Sequence, residues 1–290
     1  MTLSVLIPTY NYNAHALVHA MVRLAKVEGI DAEVIVGDDA STSETEWMSE
    51  VEHEEGVRVI HAPTNLGRAR IRNFLADAAE GEWLLIVDAD AAVPETFSLK
   101  KYLEAGAAAP IVCGGLYHPD VNPNPEATLR YKYERNADRY RAATVRSQHP
   151  HRKLSTFNLL VRRDVFLTIR FDERCTDYGY EDALFGAQLG VRGIPVAHID
   201  NPLVHMGLES NWAFLAKTET AMHTLHRIGH LMPHDFGILH AVHQLQRYHL
   251  TGVVRWFYRI FRQPMRANLL SHSPSLLIFK LYKLGFFLSI

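Results

Sequence analysis

The chain has 290 residues, 48% of them apolar and 21% charged, with a formal net charge of −2. That composition excludes a disordered chain and leaves room for one large α/β domain with something smaller beside it. The near-neutral balance gives no whole-chain basis for binding nucleic acid. Two cysteines, Cys113 and Cys175, are too few and too far apart for a disulfide framework or a zinc site, and are expected as buried thiols.

In chain order, short apolar runs alternate with helix-like stretches. Strands are expected at 4–8, 33–37, 57–62 and 83–87, and helices at 14–26, 43–54 and 68–79. Such alternation predicts a mostly parallel sheet with crossover helices, and the β-branched, nearly unbroken runs suit strands covered on both faces. From 122 to 150 the chain turns rich in Pro, Asn, Arg and Tyr; a basic helix-like piece over 129–146 reads as an insertion over the sheet. Further strands are expected at 156–161 and 196–199, with a helix at 181–189 between them.

The pattern then becomes helical and His-rich, so a catalytic domain over 1–210 and a helical C-terminal region over 211–290 are expected. Between Phe236 and Ile290 there are seven Lys and Arg and no Asp or Glu. Within it, Arg255, Arg259 and Arg262 follow helical spacing opposite an aromatic and aliphatic face. A basic amphipathic helix of this kind suits an anionic membrane surface; the alternative is a helix that covers the first domain or forms a homodimer. No window is apolar for about 18 residues, so no spanning helix is expected. The start of the chain has neither a basic leader nor a cleavage site, which implies a cytoplasmic protein.

Chemistry in open α/β sheets collects past the carboxyl ends of the strands. Three such ends are polar here: Pro8-Thr-Tyr-Asn11, Asp38-Asp-Ala-Ser41 and Asp88-Ala-Asp90. Paired carboxylates at Asp88 and Asp90 suit a hard divalent cation that also takes diphosphate oxygens, or else simply cap a turn. Asp38 and Asp39 can accept from a base or ribose, or cap a helix begun by Ser41, Thr42 or Ser43. Glu181 and Asp182 open an apolar helix, where a carboxylate either complements the helix dipole or acts as a general base. His205 ends an apolar run and is a third metal-ligand candidate, or an ordinary polar contact.

Taken together, Ile7-Pro-Thr-Tyr-Asn11, Gly37-Asp-Asp-Ala-Ser41, Asn65-Leu-Gly67, Arg70 to Asn73, Asp88-Ala-Asp90 and Tyr180-Glu-Asp182 resemble glycosyltransferase family 2 over about residues 1–208. The resemblance implies a GT-A-type, Rossmann-like α/β fold and an inverting transferase. Its substrates would be a nucleotide-sugar donor, UDP being the commonest in the family, and a carbohydrate or lipid-linked acceptor, as in bacterial-type polysaccharide or glycolipid assembly.

Carried over residue by residue, it implies that Pro8, Thr9 and Tyr10 line the nucleotide pocket, that Asp38 or Asp39 contacts base and ribose, and that Arg68 and Arg72 face the pyrophosphate. Asp90 would be the principal ligand of Mn²⁺ or Mg²⁺, with Asp88 on ribose or metal and His205 completing the set. Asp182 would be the base and Glu181 its neighbour that fixes the loop. Asn158 is offered as an acceptor contact.

Gln244-Leu-Gln-Arg247-Tyr248 approaches the Gln-x-x-Arg-Trp motif of processive members but ends in Tyr, so one sugar per binding event is expected. A haloacid-dehalogenase-like phosphatase also uses Asp-x-Asp after a strand, but normally near the N-terminus, with Thr or Val where Ala92 stands here. A non-catalytic sugar-nucleotide or membrane-binding module is the other rival. A dehydrogenase is disfavoured because no Gly-x-Gly-x-x-Gly loop follows the first strand.

Overall fold

The computed structural model describes residues 1–233 and 235–290. Its elements begin with β1 (Leu3–Thr9), α1 (His15–Glu28), β2 (Ala32–Asp38), α2 (Glu46–Val51), β3 (Val57–His61), α3 (Arg68–Ala78) and β4 (Trp83–Val87). Next come β5 (Ala91–Ala92), α4 (Leu99–Gly106), β6 (Ile111–Cys113), β7 (Leu116–Tyr117), α5 (Thr128–Ala137), α6 (Ala143–Arg146), β8 (Asn158–Arg162) and α7 (Arg163–Ile169). The chain continues through α8 (Glu181–Val191), β9 (Val196–His198), β10 (Leu203–His205), α9 (Asn211–Ile228), α10 (Gly237–Arg247), α11 (Thr251–Leu269) and α12 (Leu276–Phe287). Contacts group these into two compact units. One comprises Met1–Pro119, Arg139–Thr176 and Glu181–Gly207; the other comprises Asp120–Asp138, Asp177–Tyr180 and Leu208–Ile290.

The first unit is built on a seven-stranded sheet of order β3-β2-β1-β4-β8-β6-β9. All neighbours run parallel except β8, which is antiparallel to both β4 and β6. Leu3, Val5, Leu6 and Ile7 of β1 and Leu84 to Val87 of β4 are fully buried, as strands covered on both faces require. The order reverses between β1 and β4, because β2 and β3 lie to one side of β1 and β4 to the other. Such a switch point opens a crevice past the strand ends, where ligands of doubly wound sheets bind. A second sheet, β5-β10-β7, carries the chain beyond β4 and returns His205 beside Ala91.

Two helices depart from the expected spans. α2 starts only at Glu46, because the backbone N–H groups of Ser41, Thr42 and Ser43 are bound by Asp38 and Asn11 and stay out of the helix. The basic stretch over 129–146 is not one helix: it divides into α5 and α6 around a 3-10 turn at Asp138–Tyr140. The break follows Asn136 and Asp138, poor helix formers whose side chains compete for backbone groups.

The second unit is helical, with a core of Leu129, Phe214, Leu215, Tyr258, Met265, Leu269, Phe279 and Tyr282. In α11, Tyr258, Met265 and Leu269 turn inward, while Val253, Trp256, Phe257, Ile260 and Phe261 are exposed. Glu219 holds α9 to this core by accepting from Tyr282 and pairing with Arg266. Among the described residues no helix is long and apolar enough to cross a membrane. Cys113 and Cys175 are buried free thiols, as expected.

Candidate active site

Register sets the first wall. Thr9 stands level with Asp38 at the ends of β1 and β2, and Pro8 with Gly37. Past those ends the two loops are tied together. Asn11 accepts through Oδ1 from Thr42 and Ser43 N–H at 2.8 and 3.1 Å, and its own N–H donates to Ser41 Oγ at 2.8 Å. Asn11 and Ala40 both adopt positive φ, 49° and 60°. Asn tolerates that conformation, whereas Ala does so at a cost of about 1 kcal/mol, a strain held by the surrounding bonds. Thr9 Oγ1 donates to the Tyr12 carbonyl, and Tyr10 is half exposed.

Asp38 accepts from Ser41 N–H and meets His61 Nδ1, each at 2.9 Å. Burial pushes its carboxyl up, but the Ser41 hydroxyl and His61, together with the Ser41 N–H, outweigh burial and hold it below the usual range. Asp39 spends both oxygens on the N–H groups of Leu66 and Gly67, at 2.6 and 3.0 Å. Burial nevertheless leaves its carboxyl raised. Gly67 has φ 79°, and a Cβ there would stand 2.9 Å from the Thr176 carbonyl oxygen, so this entry into α3 requires glycine.

One turn apart on α3, Arg68 and Arg72 bridge the same two acids. Asp88 receives Arg68 at 2.5 Å and Arg72 at 2.6 Å; Glu181 Oε1 receives them at 2.9 and 3.1 Å. Arg72 is only 1% exposed, Arg68 42%. Burial would raise both acids, yet the two guanidinium groups pull Asp88 down to about 2 and lower Glu181. Asp182, next in the chain, goes the other way. Burial and then the Glu181 charge push it up to about 6, while its Oδ1 accepts from Ala183 N–H at 2.7 Å. The knot thus yields ionised Asp88 and Glu181 beside a carboxyl that changes protonation near neutrality.

Asp90 lies across from β10. Its Oδ2 is 3.1 Å from His205 Nε2, and its carbonyl accepts from Met206 N–H at 3.0 Å. His205 Nδ1 faces His118 Nε2 at 3.2 Å, with both imidazoles buried. A Cβ on Gly207 would fall 2.0 Å from Asp90 Oδ2. Tyr12 is near enough to Asp90 for that charge, after burial, to raise its phenol.

The structure therefore gathers Arg68, Arg72, Asp88, Glu181 and Asp182 in one cluster, pairs Asp90 with His205, and sets Asp38 and Asp39 beside Thr9. It does not bring Asn158 to an open surface. That side chain is 1% exposed, accepting from Tyr102 and donating to the carbonyls of Gly115 and Asn201. Asp88 and Arg72 likewise meet each other rather than facing outward. Sequence reasoning missed Tyr12, His61, His118 and Gly207; no spacing rule connects them to the motifs they serve.

A seven-stranded, mostly parallel sheet flanked by helices, with the acidic loops gathered past its switch point, has the architecture of a GT-A-type α/β fold. The chain belongs to glycosyl transferase family 2, whose family model matches residues 4–170. Over 121 residues it is 30% identical to glycosyltransferase GlyG of Streptococcus pneumoniae serotype 4, a match covering 41% of this chain and 40% of GlyG.

The fold is shared with S. aureus TarS at a TM-score of 0.53 and 20% identity, over 79% of this chain and 43% of TarS. TarS 1–349 in complex with UDP gives 0.52 and 19%, over 78% and 65% of the two chains. The mannosyltransferase PcManGT of Pyrobaculum calidifontis, in complex with GDP-Man and Mn²⁺, gives 0.58 and 15%, over 99% and 84%. The chain thus spans less than half the length of GlyG and of full TarS.

Proposed function

We propose that the protein is a metal-dependent, inverting glycosyltransferase that moves a sugar from a nucleotide-diphosphate donor, UDP-linked, to an acceptor hydroxyl. The observation that carries this reading is the division of labour among the acids. Asp88 and Glu181 are held ionised by Arg68 and Arg72, while Asp182 alone sits near the pKa that a general base needs at neutral pH.

Asp182 takes the proton of the acceptor hydroxyl as its oxygen bonds to the anomeric carbon. The bond from that carbon to the phosphate oxygen breaks on the opposite face, and the nucleoside diphosphate leaves with the bonding pair. Inversion at the anomeric carbon follows from this single displacement.

Asp90 and His205 fit a divalent cation, since 3.1 Å between Oδ2 and Nε2 matches two adjacent ligands about 2.1–2.2 Å from one ion. A nitrogen in the set suits Mn²⁺ better than oxygen-demanding Mg²⁺. Bound there, the ion would neutralise charge growing on the diphosphate. Asp88, both oxygens on arginine, acts on the nucleotide site by positioning Arg68, whose exposed guanidinium can face the pyrophosphate. Thr9, Tyr10, Asp38 and Asp39 form the base and ribose side, with Pro8 closing the β1 end.

The proposed setting is polysaccharide or glycolipid assembly at the inner face of a cytoplasmic membrane. The exposed stripe of α11, flanked by Arg255, Arg259 and Arg262, supports peripheral attachment there and a lipid-linked acceptor. Catalysis is assigned to residues 1–210 and attachment to 211–290, a second copy of the chain being the other partner that stripe would accept.

Calorimetric titration with UDP and with GDP, each with Mn²⁺ or EDTA, tests the site on wild type and Asp90→Ala. Metal-dependent binding of UDP that Asp90→Ala abolishes is expected. Binding of GDP alone would overturn the donor class, and binding of neither nucleotide would overturn the transferase reading.

A further inference from the structure

A second cluster of metal-binding chemistry lies on the outer side of α1, and none of its residues belongs to the site above. His15 and His19 are one turn apart, and their Nε2 atoms face each other at 3.0 Å. Two zinc-bound imidazoles at about 2.0–2.1 Å in tetrahedral geometry would stand roughly 3.3 Å apart, so the pair is already close to ligand spacing. His19 turns its other nitrogen, Nδ1, to Glu54 Oε1 at 2.7 Å. The two atoms lie within ion-pair range but make no hydrogen bond, so Glu54 sets negative charge beside the ring without fixing its tautomer. Glu50, on α2, puts Oε2 3.4 Å from His15 Nε2. Its exposed side chain is free to swing onto an ion held between the two rings.

We propose that His15, His19 and Glu50 bind a transition-metal cation, Zn²⁺ by ligand preference, with the Glu54 charge beside His19. Two imidazoles and one carboxylate make a set that Zn²⁺ takes readily, and water supplies the fourth position. The ion has a way in, because His19 and Glu54 border an open groove of about 540 Å³ beside α1. Its effect would be to staple α2 to α1. α2 has only six residues and follows the loop that Asn11 and Asp38 tie down, so the staple braces the outside of the nucleotide-binding wall.

The test uses the full, untagged chain, stripped with EDTA and titrated with Zn²⁺ in buffer containing excess Mg²⁺. In Asp90→Ala, where the Asp90–His205 pair no longer competes for the ion, one equivalent is expected to bind, with affinity lowered at least tenfold by adding His19→Ala or His15→Ala. At a hundredfold excess over Kd the melting midpoint should rise by roughly 5 °C, and only when both histidines are present. Co²⁺ in place of Zn²⁺ should give the intense visible absorption of a tetrahedral site in wild type, a readout that needs no variant to fold. Absence of Zn²⁺ binding in wild type would leave a hydrogen-bonded histidine pair and overturn the proposal. Binding in Asp90→Ala that survives both histidine substitutions, or absence of binding in Asp90→Ala, would equally overturn it.

Discussion

Replacing Arg72 by Met tests the charge knot directly. The substitution keeps the apolar stem against Phe171, whose ring lies 5.4 Å from the guanidinium carbon, and removes only the charge and its bonds to Asp88 and Glu181. Removing one partner from a buried ion pair costs about 3–5 kcal/mol. Arg68 still bridges both acids, which places the cost toward the lower end. The carboxyl of Asp88 gives a second measure: held at about 2 instead of 3.8, it contributes roughly 2 kcal/mol at neutral pH, a share of which belongs to Arg72.

A loss of about 2–4 kcal/mol in urea unfolding at pH 7 is therefore expected. The sign with pH is fixed, because a depressed carboxyl stabilises above its unfolded value and loses that stabilisation as pH falls through the folded one. The gap between wild type and Arg72→Met should accordingly narrow between pH 4 and pH 2. A loss under 1 kcal/mol, or a gap unchanged across that range, would refute the claim that the guanidinium holds these acids.

Asp182→Asn should lower transfer by at least a hundredfold while leaving nucleotide affinity within about threefold of wild type, as measured by donor turnover and calorimetry. In wild type the rate should fall as pH drops through about 6, where Asp182 takes up its proton; Glu181→Gln, by removing the charge that raises Asp182, should move that limb to lower pH. Gly207→Ala should displace Asp90 from His205 and weaken Mn²⁺-dependent nucleotide binding at least tenfold, visible as loss of the Mn²⁺ effect on UDP affinity. Trp256→Ala with Phe257→Ala, or charge reversal at Arg255 and Arg259, should abolish co-sedimentation with vesicles rich in anionic lipid and leave binding to neutral vesicles as weak as before.

The strands and crossover helices were legible because buried parallel strands announce themselves as unbroken apolar runs, and β1, β2 and β4 fall within two residues of expectation. The positions of Asp38, Asp39, Asp88 and Asp90 were legible for the same reason, since a strand's end is visible where its apolar run stops. Their partners were not. That Asp39 is consumed by two backbone N–H groups, and Asp88 by two arginines from α3, depends on how α3 packs across the sheet, and no periodicity records that. The partners of Asn158 were hidden for a related reason. At the start of β8, the antiparallel strand that the alternating pattern did not foretell, its amide is bonded to Gly115, Asn201 and Tyr102.

Counting charge across the site shows why a cation is the natural complement of a diphosphate there. Arg68 and Arg72 carry two positive charges, and Asp88 and Glu181 already take both. Asp90 meets the His205 imidazole rather than an arginine, and Asp182 above its titration adds a further negative charge, so the arginine charge is already spent before any ligand enters. A nucleoside diphosphate would add further negative charge to a place with few exposed donors, and only part of Arg68 is free of burial to meet it. Repulsion of that kind, at several ångströms and partly out of water, amounts to several kcal/mol at an effective dielectric near 20. A divalent ion on Asp90 and His205 would remove it at the point where leaving-group charge develops. The arginines, for their part, are what keep Glu181 ionised and so keep Asp182 basic. On this count neither the cation nor the arginine pair can substitute for the other: one serves the leaving group and the other the base.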